Sequence, residues 1–219
     1  MREISELVPL PAGEFWMGGE QDDKFVTDVE RPRHRVTISA GTSLGRFPVT
    51  EGELLGNGKR IPAVGICWEE AKEFAQWVGE QAGGRGRLAT EAEWEWAARA
   101  GQTVARTPTA EEANFLYSED GEKVGEGALS EVGRYSLNEF GYGDLFGNVL
   151  EWVEDCWRPS YEGAPKDGSA WVGSGTRKVV RGGAWDHLPR LLRASWRDGM
   201  LAEARQDNLG FRVAVDFRK

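Results

Sequence analysis

The segment from Arg181 to Arg212, RGGAWDHLPRLLRASWRDGMLAEARQDNLGFR, restricts the fold more than any other stretch of the chain. An ordered frame runs through it: Arg181-Gly182-Gly183, Trp185, Pro189, Leu192-Arg193-Ala194, Arg197, Arg205 and Leu209-Gly210-Phe211-Arg212. Between the frame members stand Asp186, His187, Leu188, Leu191, Trp196, Asp198, Gly199, Met200, Leu201, Ala204, Gln206 and Asp207, which follow neither a helical nor a strand hydrophobic period. Apolar residues without a period cannot all be buried on one face of a helix or strand. The segment must therefore be irregular, and two readings are open. It folds back into a loop-rich core, or it forms a contact surface on which Leu188, Trp196, Met200 and Leu201 are exposed for recognition.

Composition agrees with an irregular fold. The 29 Gly and 10 Trp among 219 residues imply many turns laid over aromatic anchors. A net charge of -9 lacks the basic footprint of nucleic-acid binding, so no nucleic-acid partner is expected. Locally the charges point two ways: Arg190, Arg193, Arg197 and Arg205 form an arginine-rich group able to meet an anion, whereas Asp186, Asp198 and Asp207 favour a partner presenting Lys or Arg. There is no apolar run long enough to span a bilayer, and the acidic start Met1-Arg2-Glu3-Ile4-Ser5-Glu6 is unlike a secretory signal. No direct membrane insertion is expected, and the compartment is cytoplasmic by default. Cys67 and Cys156 are too few for a disulfide framework and are expected as buried thiols. With only His34 and His187, a three-histidine metal site cannot be assembled.

Two helices are legible. From Cys67 to Gln81, Trp68, Ala71, Phe74, Ala75 and Val78 recur at three and four, with Glu70 in the first turn. In Thr90-Glu91-Ala92-Glu93 the threonine caps a second helix and Glu93 reaches back to it; Trp94, Ala97 and Ala98 are its expected buried face, and Gly101 its end. Short strands are expected at Phe15-Trp16-Met17, after which an acidic loop runs from Glu20 to Glu30, and at Arg35–Ser39, Asn148–Val153, Lys178–Val180 and Phe211–Phe217. The expectation is an α+β fold, two helices on short antiparallel sheets with extensive irregular loops, forming one domain over residues 1–219.

Six motifs in series resemble the formylglycine-generating-enzyme/sulfatase-modifying-factor family. They are Glu14-Phe15-Trp16-Met17-Gly18, Phe47-Pro48-Val49-Thr50, Arg87-Leu88-Ala89-Thr90-Glu91-Ala92-Glu93-Trp94-Glu95-Trp96-Ala97-Ala98-Arg99, Gly147-Asn148-Val149-Leu150-Glu151-Trp152, Val180-Arg181-Gly182-Gly183 and Gly210-Phe211-Arg212. The resemblance implies a C-type-lectin-like fold. Enzymatic members hold copper on a cysteine pair shortly after the Arg-Gly-Gly motif and oxidise a substrate cysteine, whereas this chain has no cysteine after Cys156. The lone Met200 and His187 do not replace a pair of thiolates. The chain is therefore expected to be non-catalytic, the alternative being an oxidase or accessory protein acting on a peptide cysteine.

Within the family the chain is most similar to the variable proteins of diversity-generating retroelements. That resemblance implies a fixed scaffold with a diversified segment at 181–212, presented to a protein ligand through Asp186–Asp207, and a monomer needing no cofactor. His187 then reads as a contact residue, not as a general base. The resemblance also implies a structural calcium at Asp144, Gly147, Val149 and Glu151, whose oxygens are of the type calcium takes. The same motif reads alternatively as a turn and strand with Glu151 in a buried ion pair. Arg181 and Arg212 are expected to fork onto buried carboxylates.

Overall fold

The structure, a computed structural model, describes residue 4, residues 6–103 and residues 107–217, so most of the acidic start lies outside the described residues. In chain order the elements are β1 (Leu7–Pro9), β2 (Gly13–Met17), β3 (His34–Ile38), β4 (Thr42–Gly45), α1 (Glu51–Leu55), α2 (Trp68–Ala82), β5 (Arg85–Leu88) and α3 (Glu91–Arg99). They continue with β6 (Leu150–Cys156), β7 (Arg177–Arg181), β8 (Arg197–Leu201), β9 (Leu209–Phe211) and β10 (Val213–Asp216). The strands make one sheet in the order β1-β4-β10-β5, a separate pair β2-β3, and a second sheet in the order β8-β7-β6-β9. The fold is α+β, as the sequence led us to expect. Strand pairing is antiparallel except between β6 and β9, because the chain after β8 crosses to the far edge of its sheet before it pairs. Among the described residues no helix is long and apolar enough to cross a membrane.

Helix α2 forms where the three-and-four spacing places it, with Glu70 reaching back to the Cys67 N–H at 3.2 Å and Gly83 ending it in the left-handed conformation. It lies directly on β5: a Cβ on Gly79 would fall 1.9 Å from the Gly86 nitrogen, so neither position admits a side chain. In α3, Thr90 Oγ1 accepts the Glu93 N–H at 3.1 Å and the Glu93 carboxylate accepts the Thr90 N–H at 2.8 Å. The expected buried face was too narrow, since every residue of α3 is buried, including Glu91, Glu93, Glu95 and Arg99. This helix packs against β2, β3, β6 and β7, which leaves it no solvent side. It ends at Ala100 in the left-handed region, one residue before the glycine that the sequence suggested. A third helix, α1, is too short for a hydrophobic period, although its capping box, Thr50 with Glu53, was a readable signal.

Two apolar clusters form the core. One joins Trp94, Ala97, Phe15, Val36 and Val153; the other joins Trp68, Phe74 and Val78 of α2 to Leu88, Trp152, Phe211 and Val215. Beneath the first, Asp155 is buried and accepts the N–H groups of Glu91 at 2.7 Å and Trp171 at 2.6 Å. Burial, and then the Glu91 carboxylate, push Asp155 up to about 7. A carboxyl raised in this way stabilises the fold at low pH, and the contribution is lost as pH rises through the folded value. The slope of unfolding free energy between about pH 5 and about pH 8, from urea titrations, should therefore be less negative for Asp155→Asn than for the native chain. Equal slopes would show that Asp155 is not held protonated.

Candidate functional site

The irregular segment leaves β7 at Gly182 and Gly183, both at positive φ. A Cβ on Gly182 would fall 3.1 Å from Trp94 Cζ2, and one on Gly183 would fall 2.7 Å from Leu192 Cδ1, so the turn requires glycine for space as well as conformation. The chain then passes through a one-turn helix, Pro189–Leu191, and returns as β8 alongside β7.

Four buried arginines shape this path, each on a buried glutamate. Arg181 donates to Glu95 at 2.6 Å and to the carbonyls of Ala194, Ser195 and Trp196, so one guanidinium holds three successive peptide groups. Arg193 forks onto Glu30 at 2.8 Å and also reaches Asp23 and the Phe25 carbonyl, which fastens the acidic loop against the segment. Arg197 forks onto Glu91 at 2.6 and 2.9 Å and donates to the carbonyls of Val29 and Arg158. Arg212 forks onto Glu151 at 2.9 and 3.0 Å, below the segment. The pairs expected for Arg181 and Arg212 are present. The arginine-rich face expected from Arg190, Arg193, Arg197 and Arg205 is not: Arg193 and Arg197 are buried, while Arg190 and Arg205 are bound to Glu119 and Glu70.

Exposure divides the interleaved residues. Asp186, Asp198, Leu201, Gln206 and Asp207 are exposed, whereas His187, Leu188, Leu191, Trp196, Met200 and Ala204 are half-buried. The expectation that Leu188, Trp196 and Met200 stand exposed with Leu201 is thus corrected. Trp196, Met200 and Ala204 lean on the cluster around α2, and Leu191 on a small cluster with Phe115 and Leu192. Gly199 is the outright exception, being buried because Trp157 covers it and would lie 2.3 Å from any Cβ there. Two frame members also depart: Trp185 is only half-buried, and Arg205 is exposed. The His187 and Trp196 rings meet nearly edge to face at 5.9 Å, and the Asn208 amide donates to Asp186 at 2.9 Å. Burial pulls the His187 imidazole below its usual range, against the pull of Asp186 and Asp198, so it is neutral at neutral pH.

Among the described residues, the side chains suited to metal or redox chemistry have other partners. Both Glu151 oxygens are taken, one by Arg212 and the other by Arg212 and Trp94 Nε1, and Asp144 accepts the Gly133 N–H at 2.7 Å. The ion pair read as the alternative for Glu151 is thus present, and Asp144, Gly147, Val149 and Glu151 offer calcium no carboxylate oxygen of Glu151 that is free of a donor. Among the described residues no group of three or more His, Cys, Asp or Glu is gathered for a metal ion. The thiols are separate: Cys156 is buried with Lys178 Nζ at 3.3 Å, while Cys67, half-buried and not buried as expected, caps α2 beside Arg205.

Residues 55–217 match the model of the sulfatase-modifying factor enzyme 1-like domain. Among curated proteins the chain is similar to serine/threonine-protein kinase Pkn1 of Chlamydia trachomatis, 34% identical over 92% of this chain and 30% of the kinase. It is also similar to the formylglycine-generating enzyme of Thermomonospora curvata, 28% identical over 98% of this chain and 95% of the enzyme. The chain spans between 24% and 30% of the length of its chlamydial relatives. Among solved structures, PvdO from Pseudomonas aeruginosa superposes with a TM-score of 0.89 at 33% identity, over 97% of this chain and 95% of that one. Treponema denticola variable protein 1 superposes with a TM-score of 0.79 at 21% identity, over 96% and 94%, a likeness of fold alone. The fold is the C-type-lectin-like fold of the formylglycine-generating-enzyme type.

Proposed function

The chain belongs to the sulfatase-modifying factor enzyme 1-like family, and from that premise we propose that it is a non-catalytic scaffold that binds a protein ligand through residues 186–207, a surface diversified by a retroelement. One observation carries the reading: burial follows the frame, Trp185 and Arg205 excepted. Arg181–Gly183, Pro189, Leu192–Ala194, Arg197 and Leu209–Arg212 are all buried, while the interleaved residues, Gly199 apart, are open to solvent wholly or in part. The exposed members, Asp186, Asp198, Leu201, Gln206 and Asp207, are positions that can change without touching the core, which is what a variable surface needs. The likeness in fold to a Treponema denticola variable protein supports the same reading.

Trp196 is the leading anchor. It is half-buried, with one side against the core and its ring edge-to-face with His187, so little freedom remains to be lost on docking. Peptides selected against the chain from a displayed library should bind Trp196→Ala about 2 kcal/mol more weakly, roughly thirtyfold. Selected peptides indifferent to that change would place the site elsewhere.

The alternative, an oxidase or accessory protein acting on a peptide cysteine, draws on the relatives whose names state that they generate formylglycine. The separated thiols of Cys67 and Cys156 favour the non-catalytic reading, because two thiolates on one soft metal are what oxygen activation would need. A peptide carrying Cys-x-Pro-x-Arg, incubated with the chain, copper and oxygen, should keep its thiol by mass spectrometry. Formylglycine in the product would overturn the non-catalytic reading.

A further inference from the structure

Formal charge and displayed charge differ in sign along 181–212. The segment holds six arginines, at 181, 190, 193, 197, 205 and 212, against four acids, Asp186, Asp198, Glu203 and Asp207. By composition it is basic. In the fold, every one of those arginines pairs with a glutamate from outside the segment: Arg181 with Glu95, Arg190 with Glu119, Arg193 with Glu30, Arg197 with Glu91, Arg205 with Glu70 and Arg212 with Glu151, at 2.6 to 2.9 Å. The exposed Arg205 is paired too, its two terminal nitrogens meeting the two Glu70 oxygens at 2.6 and 2.7 Å.

The four acids have no such partners. Asp186 takes only the Asn208 amide and Asp198 only the N–H of Gly199, and among the described residues none of the four lies in a salt bridge. All four residues are exposed. The nearby cations are Lys178 and Lys72, at 3.8 and 4.9 Å from the Trp68 ring, and Arg177, which donates to the Gly199 carbonyl; Lys72 lies 3.8 Å from Glu69, and the four carboxylates outnumber the other two cations two to one. The loop fastened by Arg193 adds Asp22 and Asp28 against Lys24 and Arg31 and leaves the balance unchanged. His187 adds no positive charge at neutral pH. The result is a set of unneutralised carboxylates along the segment that also holds the half-buried Trp196 and Met200; Leu201, next to Met200 in β8, points to the opposite face of the sheet.

We propose that the partner of this surface is a protein segment presenting lysine or arginine side chains beside an apolar contact. The proposal rests on the scaffold reading and assigns its ligand a charge. Unneutralised carboxylates steer a cationic partner in solution and penalise an anionic one, so the acids set association rate and sign of partner while Trp196 and Met200 hold the complex. An anionic partner would find no free guanidinium within 186–207, because each is already engaged.

The test uses the full chain and a phage-displayed random peptide library, panned at low salt. Selected peptides should be richer in Lys and Arg than the unselected library. The best of them should bind the quadruple variant Asp186→Asn, Asp198→Asn, Glu203→Gln, Asp207→Asn at least about tenfold more weakly, with association slowing as salt is raised. Near-UV circular dichroism checks that the variant, altered only at exposed positions, keeps its fold. Neutral or acidic peptides that need Trp196 but not the four carboxylates would overturn the charge assignment and leave the scaffold reading standing. Peptides indifferent to Trp196 and to the acids alike, or no selected peptide at all, would overturn the scaffold reading.

Discussion

Glu95→Ala should remove about 3–5 kcal/mol of stability, the cost of leaving a buried charge without its partner, against a total margin of about 5–15 kcal/mol for a fold of this kind. Glu95 Oε1 accepts the Gly18 N–H and Arg99 Nε, each at 2.9 Å, and Oε2 accepts Arg181 Nη2 at 2.6 Å. Its loss takes the nearest carboxylate from two buried guanidiniums, leaving Arg99 with the Gly18 carbonyl and Glu20 at 3.5 Å, and Arg181 with peptide carbonyls and Glu91 at 3.5 Å. Burial alone would push the Glu95 carboxyl up, but the charges of Arg99 and Arg181 outweigh it and hold the group below its usual range. Its contribution is therefore present above the ordinary carboxylate pKa and lost as pH falls through the depressed one. Urea titrations at neutral and acid pH read both effects. Glu95→Gln keeps the shape and removes the charge, so it should cost nearly as much as alanine at neutral pH and show a weaker acid dependence. A glutamine variant as stable as the native chain would show that hydrogen bonding, not charge, holds Arg181. Because Arg181 binds the carbonyls of residues 194–196, amide exchange in that stretch should quicken in either variant.

The same pairs mark where sequence reading stopped. The arginines of the frame were visible as a pattern, and two of them were rightly expected on carboxylates. Their partners were not visible, since Glu30 lies 163 residues from Arg193 and Glu91 lies 106 from Arg197. No local period links residues at such separation. The helices α2 and α3 were legible because a cap and a buried stripe are local features, whereas α1, at five residues, is too short for a hydrophobic period to repeat. Gly199 looked like a variable position from its place between frame members, and only the packing of Trp157 shows why it must be glycine. The half-burial of Leu188, Trp196 and Met200 was missed for a related reason: residue type gives the capacity to be buried, and the neighbouring sheet decides how far it is used. Glu151 carried both an ion-pair and a calcium reading in the sequence, and the structure shows its ion pair with Arg212.

Stability and recognition should separate most clearly at Trp94 and the exposed acids. Trp94 is fully buried, its Nε1 donates to Glu151 at 3.0 Å, and its ring lies beneath Gly182 and 5.2 Å from the Arg181 guanidinium. Trp94→Ala should cost about 3–5 kcal/mol, from the lost apolar contacts and the cavity they leave, together with the lost donor to a buried carboxylate. Trp94→Phe keeps most of the volume and should cost clearly less, since Glu151 retains Arg212. Replacing Asp186, Asp198, Leu201 and Asp207 together by Ala should change stability by no more than about 0.5 kcal/mol for each exposed site. Trp196 is excluded from that set because its inner side is part of the packing, and its own substitution mixes the two effects. Chemical denaturation of the three variants decides the matter. If the exposed quartet destabilised the fold as much as Trp94→Ala, those side chains would belong to the core, and residues 186–207 would not be free to vary for a ligand.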